Sequence, residues 1–351
     1  MRQRRNTLSA GFLSPRPWLG FPEKGRATMS GTKTIRWGVL GASNFALRHM
    51  APAIVSARNS DLLAIASSSV DKVSPFHDLT PGLRHHTSYQ ALLDDPDIDA
   101  VYIPLPNHMH VEWSERALRA GKAVLCEKPL ALSATEFDSL IAARADTGGL
   151  ISEAFMIVHH PQWRRVKALL AQGVAGELWH VNAAFSYNNP DMANIRNNPE
   201  TGGGGLRDIG VYTFGSVRYA TGGDPLAMTH AHLRLENDVD VFAEVGFEFP
   251  GFTFQSMTGI RMANRQEVHF HGSDAVISVT CPFNANVFDQ AEIRISYPNQ
   301  TVVTERFTGI NQYVLQVEAF GAALRGEADW PWSLEDARGT QAMIDSALAG
   351  E

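Results

Sequence analysis

The sequence predicts an α/β protein in two parts: a doubly wound parallel sheet, then an α+β domain with a large, mostly antiparallel open sheet. Three observations carry this. Short apolar runs alternate with helical stretches from Thr34 to about Leu150, the rhythm of parallel strands joined by crossover helices. Beyond Leu150, strand-like runs follow one another without intervening helices, which implies antiparallel neighbours. The first apolar run also enters a tight turn of small residues, where such sheets bring a helix N-terminus up to an anion.

In chain order, the first strand is Ile35 to Leu40, and its helix starts near Phe45. Leu62 to Ser67, Ala100 to Ile103 and Ala123 to Cys126 continue the parallel series. Val111 to Ala120 is amphipathic and stops at Gly121, a fitting helix end. After a helix at about Pro161 to Gln172 comes a strand near Leu178 to Tyr187. The glycine-rich loop Gly202 to Gly205 then opens a helix running to about Thr221. Strand-like runs follow at Met228 to Leu235, Val239 to Phe249, Phe252 to Met262 and Glu267 to His271. Ala275 to Thr280, Ala291 to Ser296 and Thr301 to Phe307 complete the sheet, and helices near Gln312 to Arg325 and Ser333 to Ala349 close the chain.

The 351 residues suffice for two domains with sizeable cores. A formal net charge of −7 argues against nucleic acid or an anionic membrane as the main partner. No run approaches the roughly 18 apolar residues of a membrane span. Cys126 and Cys281 stand far apart in no metal-type spacing, which fits a reducing compartment and predicts cytoplasm. The first 28 residues are basic, with Glu23 their single acid. They read as an over-long start or disordered tail before Met29, or as a twin-arginine export signal at Arg4-Arg5 whose apolar segment is broken by Arg16 and prolines.

Three stretches carry chemistry. The turn Gly41-Ala42-Ser43-Asn44-Phe45-Ala46 is a degenerate glycine fingerprint, with Ser43 where the second glycine normally sits. It is of Rossmann type: backbone approaches the pyrophosphate closely and helix N–H groups face it. The strand ending at Cys126 runs into Glu127-Lys128-Pro129. Ligands bind beyond such carboxyl ends, so Lys128 falls where a nicotinamide would lie, unless it is an ordinary surface lysine. Asp208 and Tyr212 stand four apart on the helix after the glycine loop, and so share a face. A carboxylate and a phenol beside an ammonium form a proton-transfer set, because the ammonium makes the phenolate accessible. The plainer alternative is that Asp208 caps the helix and Tyr212 packs in the core.

In their order and spacing, these stretches and Gly203-Gly204-Gly205-Leu206-Arg207-Asp208 resemble the Gfo/Idh/MocA oxidoreductase family. Pro104-Leu105-Pro106-Asn107-His108, Glu153-Ala154-Phe155-Met156, His160-Pro161-Gln162 and Asn311 to Gln316 add to the likeness, which covers about Lys33 to Ala349. The resemblance implies hydride transfer between a nicotinamide cofactor and a CH–OH of a sugar, polyol or cyclic diol. Tyr212 places the chain in the branch of dihydrodiol and xylose dehydrogenases and glucose–fructose oxidoreductase. It implies that Lys128 assists, Asp208 orients substrate and Tyr212 is the general acid/base, with His160 beside the substrate. Gly41, Ala42, Ser43, Asn44, Phe45, Pro104, Leu105, Asn107, His110, Glu127 and Lys128 would hold the cofactor, and no metal is needed. Residues 1–32 are then an N-terminal extension, 33–150 the dinucleotide-binding domain, and 151–351 the substrate-binding and oligomerisation domain. A homodimer or homotetramer through the open sheet face is expected.

Two departures from the family pattern bear on specificity. Relatives often have Met-Tyr-Arg where this chain has Met156-Ile157-Val158, so hydrogen-bond donors are lost near the substrate. After the second strand stand Ser67, Ser68 and Ser69, with Lys72 soon after. No acid there repels a 2′-phosphate, so NADP is favoured over NAD; against this stand Asp71 and Ser68, which replaces the arginine that many NADP-using relatives carry after Ser67. Two other functions remain open: a cofactor-binding sensor without net turnover, and an enzyme that retains its cofactor for transient oxidation.

Overall fold

The computed structural model describes residues 32–350. The readings of the N-terminal 28 residues lie outside them. Six parallel strands, β1 (Ile35–Leu40), β2 (Ser60–Ala66), β3 (Arg84–His86), β4 (Ala100–Ile103), β5 (Ala123–Cys126) and β6 (Ile151–Glu153), lie in the order β3-β2-β1-β4-β5-β6. This is the doubly wound order, which reverses between β1 and β4 and leaves a crevice beyond their carboxyl ends. Strands β4, β5 and β6 are buried along their whole length, as expected where helices cover both faces of a sheet. The connecting helices are α1 (Ala51–Ser56), α2 (Val70–Leu79), α3 (Tyr89–Leu93), α4 (His110–Arg119) and α5 (Phe137–Thr147). Strand β6 carries the first sheet a few residues past the expected boundary at 150.

The turn after β1 shows why small residues are needed there. Gly41 has φ +109°, and a Cβ on it would come within 2.8 Å of Leu105 Cδ2. Ser43 then caps the helix, its Oγ accepting the Ala46 N–H at 3.0 Å. The helix does begin beside Phe45, but its first full turn, Ala46–Met50, is π-helical before α1 starts.

From α6 (Pro161–Ala171) the chain enters the second sheet. Its strands are β7 (Leu178–Asn188), β8 (Ala227–Glu236), β9 (Val239–Phe249), β10 (Phe252–Gly259), β11 (Arg261–Gly272), β12 (Val276–Val279), β13 (Ala291–Ser296) and β14 (Val302–Phe307). They lie in the order β14-β13-β12-β11-β7-β10-β9-β8. Every neighbouring pair is antiparallel except β7 with β10. The period of two separates the faces: Val181, Ala183 and Phe185 of β7 are buried with Phe254, Val268 and Phe270. The residues that alternate with them, among them His180, Asn182, His269 and His271, lie on the opposite, polar face.

Helix α7 (Val211–Thr221) is buried on nearly every side, and so sits as a rigid rod inside the domain rather than on its surface. Two last helices, α8 (Gln312–Leu324) and α9 (Leu334–Ala349), return to the first sheet. Phe320 packs on Trp37 of β1 with ring centroids 5.2 Å apart, and Tyr313 meets Phe45 edge-on at 5.7 Å. Between these helices, buried Trp332 donates from Nε1 to Glu153 Oε2 at 3.2 Å and packs on Phe155. The chain end thereby ties β6 to the second part of the molecule.

Candidate active site

A cavity of about 710 Å³ opens where the carboxyl ends of β1, β4 and β5 face the second sheet. Ser43, Asn44, Phe45, Pro104, Leu105, Asn107, Glu127 and Lys128 line it from the first sheet. Tyr187, Arg196, Asp208 and Tyr212 line it from the other side. Gly41 and Ala42 form the turn directly before Ser43. The structure thus brings together Lys128, Asp208 and Tyr212, which lie far apart in sequence.

Asp208 is the hub. Lys128 Nζ donates to its Oδ1 at 3.0 Å and to its backbone O at 2.7 Å. Tyr187 donates its hydroxyl to Oδ2 at 2.5 Å, and Arg196 Nε lies 2.9 Å from the same oxygen. Burial works against the charge on Asp208, yet Arg196, then Lys128 and Tyr187, hold its carboxyl well below the usual range. The ionised carboxylate in turn raises the Arg196 guanidinium, and together with burial it pushes the Tyr187 phenol up. The cis peptide between Lys128 and Pro129 turns the chain directly after the lysine.

Tyr212 is placed differently from the expected carboxylate–phenol–ammonium set. The segment Leu206–Gly210 is π-helical, and Lys128 reaches Asp208 rather than the phenol oxygen. Its Nζ lies 4.9 Å from the centroid of the Tyr212 ring, over the π face. The Tyr212 hydroxyl donates to Met156 Sδ at 3.5 Å, and its ring packs among Phe155, Phe185 and Phe283. Burial first, then the charges of Tyr313 and Glu127, push this phenol well above its ordinary value. A phenol held in that way keeps its proton at neutral pH.

The remaining expected residues divide. Asn107 Nδ2 donates to Gly202 O at 3.0 Å, joining the turn after β4 to the glycine loop. Glu127 accepts from Tyr102 OH at 2.6 Å, and burial raises its carboxyl. His110 lies buried beneath the turn, with Nδ1 2.8 Å from Pro129 O and Nε2 2.8 Å from Leu105 O. Burial lowers it to about 4, so it braces two loops and has no nitrogen left for a ligand. Ser67, Ser68 and Lys72 are not among the residues lining this cavity. Ser67 Oγ accepts the Ser69 N–H at 3.1 Å, at the point where β2 gives way to α2.

His160 does not reach the site. It is fully buried and caps α6, its Nδ1 accepting the Gln162 N–H at 3.1 Å. Ile157 and Val158 are likewise buried and do not line the cavity, whereas Tyr187 and Arg196 do. Among the described residues no group of three or more His, Cys, Asp or Glu side chains is arranged to hold a metal ion.

The profile of the oxidoreductase family with an NAD-binding Rossmann fold matches residues 35–155, and that of the family's C-terminal domain matches residues 163–278. The chain belongs to the Gfo/Idh/MocA oxidoreductase family. One family member, a dTDP-3,4-didehydro-2,6-dideoxy-α-D-glucose 3-reductase of Actinomadura kijaniata, is 34% identical over 90% of this chain and 95% of its own. A D-xylose 1-dehydrogenase (NADP⁺) of Haloferax volcanii is 32% identical over 90% of this chain and 98% of its own. The crystal structure of a 3-ketoreductase from Actinomadura kijaniata with NADP and TDP-benzene superposes with a TM-score of 0.83. It is 33% identical and covers 91% of this chain and 98% of its own. Variants of that enzyme solved by crystallography replace a tyrosine by phenylalanine, or a lysine by alanine or glutamate.

Three residues of this family member escape sequence reasoning. Tyr187 follows Val181, Ala183 and Phe185 at period two, so strand parity does place it on the inner face. Arg196 stands in an aperiodic loop and gives no signal. Asp240 of β9 is the third. Its Oδ2 accepts the Leu206 N–H at 2.7 Å, and a Cβ on Gly204, whose φ is +115°, would run into its Oδ1. A carboxylate from a distant strand thus caps the helical segment that carries Asp208 and Tyr212.

Burial pushes the Asp240 carboxyl up to about 7, against the N–H groups of Leu206 and Gly205 and the charge of Arg207. Between about pH 4 and that value the folded protein holds a proton that the unfolded chain has released. The contribution of this site to stability is therefore full below about pH 4 and is lost as pH rises through 7. Asp240→Asn removes that dependence. Denaturant unfolding at about pH 4 and pH 8 should show the wild type losing on the order of 3 kcal/mol relative to the variant. Parallel pH profiles would contradict this role for Asp240.

Proposed function

We propose that this chain is an NADP-dependent oxidoreductase that moves a hydride between the cofactor and a ring or chain CH–OH of a sugar, polyol or cyclic diol. The observation that carries the proposal is the Lys128 ammonium, fixed by Asp208 at the carboxyl end of β5, inside the crevice where the strand order reverses. The residues fit a dinucleotide. Gly41 holds φ +109° in the turn, and Ser43, Asn44 and Phe45 line the crevice at the start of the helix, the place where such folds seat an anion. When bound, the nicotinamide supplies the C4 centre that gives or takes the hydride.

The chain's own groups do the rest. Asp208 holds the Lys128 side chain aimed into the cavity, so it can donate to the reacting oxygen and stabilise negative charge that develops there. Tyr187 and Arg196 fill the far side of the carboxylate, so it cannot swing away from the lysine. Tyr212 keeps its proton through burial, and its only acceptor is a thioether, a weak one. An incoming substrate oxygen replaces that sulfur at little expense and receives the proton during reduction. In the oxidative direction the Tyr212 phenolate, not the hydroxyl, takes the proton from the substrate oxygen, with the Lys128 ammonium nearby to favour its charge. The lysine and tyrosine variants made in the Actinomadura enzyme concern the same two residue types.

The serine-rich end of β2 supports NADP. Ser68 is exposed, and no carboxylate stands at Ser67, Ser68 or Ser69, so a 2′-phosphate meets hydroxyls and then Lys72. Among the described residues no helix is long and apolar enough to cross a membrane, and both cysteines are free and buried. With these features the reading includes work in the cytoplasm, and a homodimer or homotetramer formed through the polar face of the second sheet.

Two tests follow. Tyr212→Phe should lower turnover at least about 100-fold, measured as reduced-nicotinamide formation across aldoses, inositols and cyclic diols, with NADP affinity almost unchanged. Full activity in that variant would remove Tyr212 as the acid/base. For the cofactor, Ser68→Asp should weaken NADP binding about tenfold or more through like-charge repulsion while leaving NAD untouched. Titration of both cofactors measures this, and equal losses for the two would contradict the assignment.

A further inference from the structure

The substrate end of the cavity is graded from floor to mouth. At the floor, the side chains of Lys128 and Asp208 are 10% and 12% exposed. Lys128 and Arg196 are the basic residues of the lining and Glu127 and Asp208 the acidic ones, so the charges balance. Both cations pair with Asp208, Lys128 through Nζ and Arg196 through Nε. Arg261 contacts the same loop, but Glu236 and the Asn189 carbonyl occupy its guanidinium.

Above the floor the wall is carboxamide. Asn264 and Asn284 line the cavity and donate or accept no side-chain hydrogen bond within the described protein. Gln266 uses its Oε1 to accept the Asn284 N–H at 3.1 Å, which leaves its NH₂ free. Amides offer donors and acceptors together and so match hydroxyls, which are both. A diphosphate only accepts, and strong binding of one calls for uncommitted cations or convergent N–H groups.

The mouth is apolar. Ile195, Val287 and Phe288 line it and are 45%, 64% and 37% exposed. The loop that bears Val287 and Phe288 is pinned at its base by buried donors. Gln162 Nε2 reaches Cys281 O at 3.0 Å, Trp163 Nε1 reaches Pro282 O at 2.7 Å, and Gln312 Nε2 reaches Phe283 O at 2.9 Å. These exposed side chains thus stand on a rigid rim and are pre-organised for contact.

Building on the oxidoreductase reading, we infer that the substrate is an uncharged glycoside with an apolar aglycone. Its sugar ring lies along the amide wall with a ring hydroxyl at Lys128, and its aglycone rests against Ile195, Val287 and Phe288. A free sugar leaves the apolar rim uncovered. A nucleoside diphosphate sugar brings two negative charges to a cavity whose own charges already balance.

The test is equilibrium binding by calorimetry to the full chain saturated with NADP. Methyl and phenyl glycosides of glucose, galactose and xylose are compared as pairs, beside dTDP-glucose. The phenyl member of at least one pair should bind about tenfold more tightly than its methyl partner. Phe288→Ser should abolish that advantage while leaving methyl-glycoside and NADP affinity unchanged. Equal affinity within every pair, no binding by any glycoside, or tighter binding of dTDP-glucose overturns the inference. So does a Phe288→Ser variant that changes only the oligomeric mass on size exclusion, since the rim would then belong to a subunit contact. The oxidoreductase reading is judged separately, by reduced-nicotinamide formation with the same compounds. Phenyl-selective binding without hydride transfer would overturn that reading and leave the cavity assignment standing.

Discussion

The site depends on a single buried carboxylate. Asp208 receives an ammonium, a guanidinium and a phenol, and each comes from a different segment of the chain. Lys128 follows the first sheet, Tyr187 ends β7, and Arg196 stands in the loop beyond it. An uncompensated charge at that depth would be strongly unfavourable. The three donors make it tolerable, and the carboxylate in turn fixes all three. Removing any one partner leaves the others facing an unbalanced charge, so the groups act as a unit and their individual effects are not additive.

The fold exists to bring these segments to one point. The doubly wound sheet places Lys128 beyond the carboxyl end of β5, beside the crevice opened by the reversal in strand order. The second sheet presents its apolar face to α6 and α7, and α7 sets Tyr212 in aromatic packing that keeps its proton in place. Asp240 supplies from β9 the cap that the glycine loop cannot supply for itself. Aromatic contacts at Trp37, Phe45 and Trp332 hold the C-terminal segment against the first sheet and the residues that follow it.

Much of this was legible in the sequence because it follows from local rules. Alternation of apolar runs and helices marks the first sheet, and successive strand-like runs without helices between them mark the second. Lys128 is legible because it lies just beyond the carboxyl end of a buried parallel strand, where such sheets bind ligands. What was not legible is tertiary. Nothing near Arg196 or Asp240 announces that a loop guanidinium and a strand carboxylate will meet the helix of Asp208. The four-residue spacing of Asp208 and Tyr212 suggested a shared pair, yet a π-helical turn and the reach of Lys128 part the two roles. His160 carried the look of a functional histidine, and its buried ring serves as a helix cap.

The measurement that tests this account most directly is hydride transfer by the wild type and by Asp208→Asn, over sugars, polyols and cyclic diols with NADP. The account predicts clear turnover by the wild type. In the variant it predicts a loss of at least about 100-fold with NADP binding retained, because the neutral asparagine removes the charge that pairs Lys128 and Arg196. Wild-type silence across the panel, or full activity in Asp208→Asn, would contradict it.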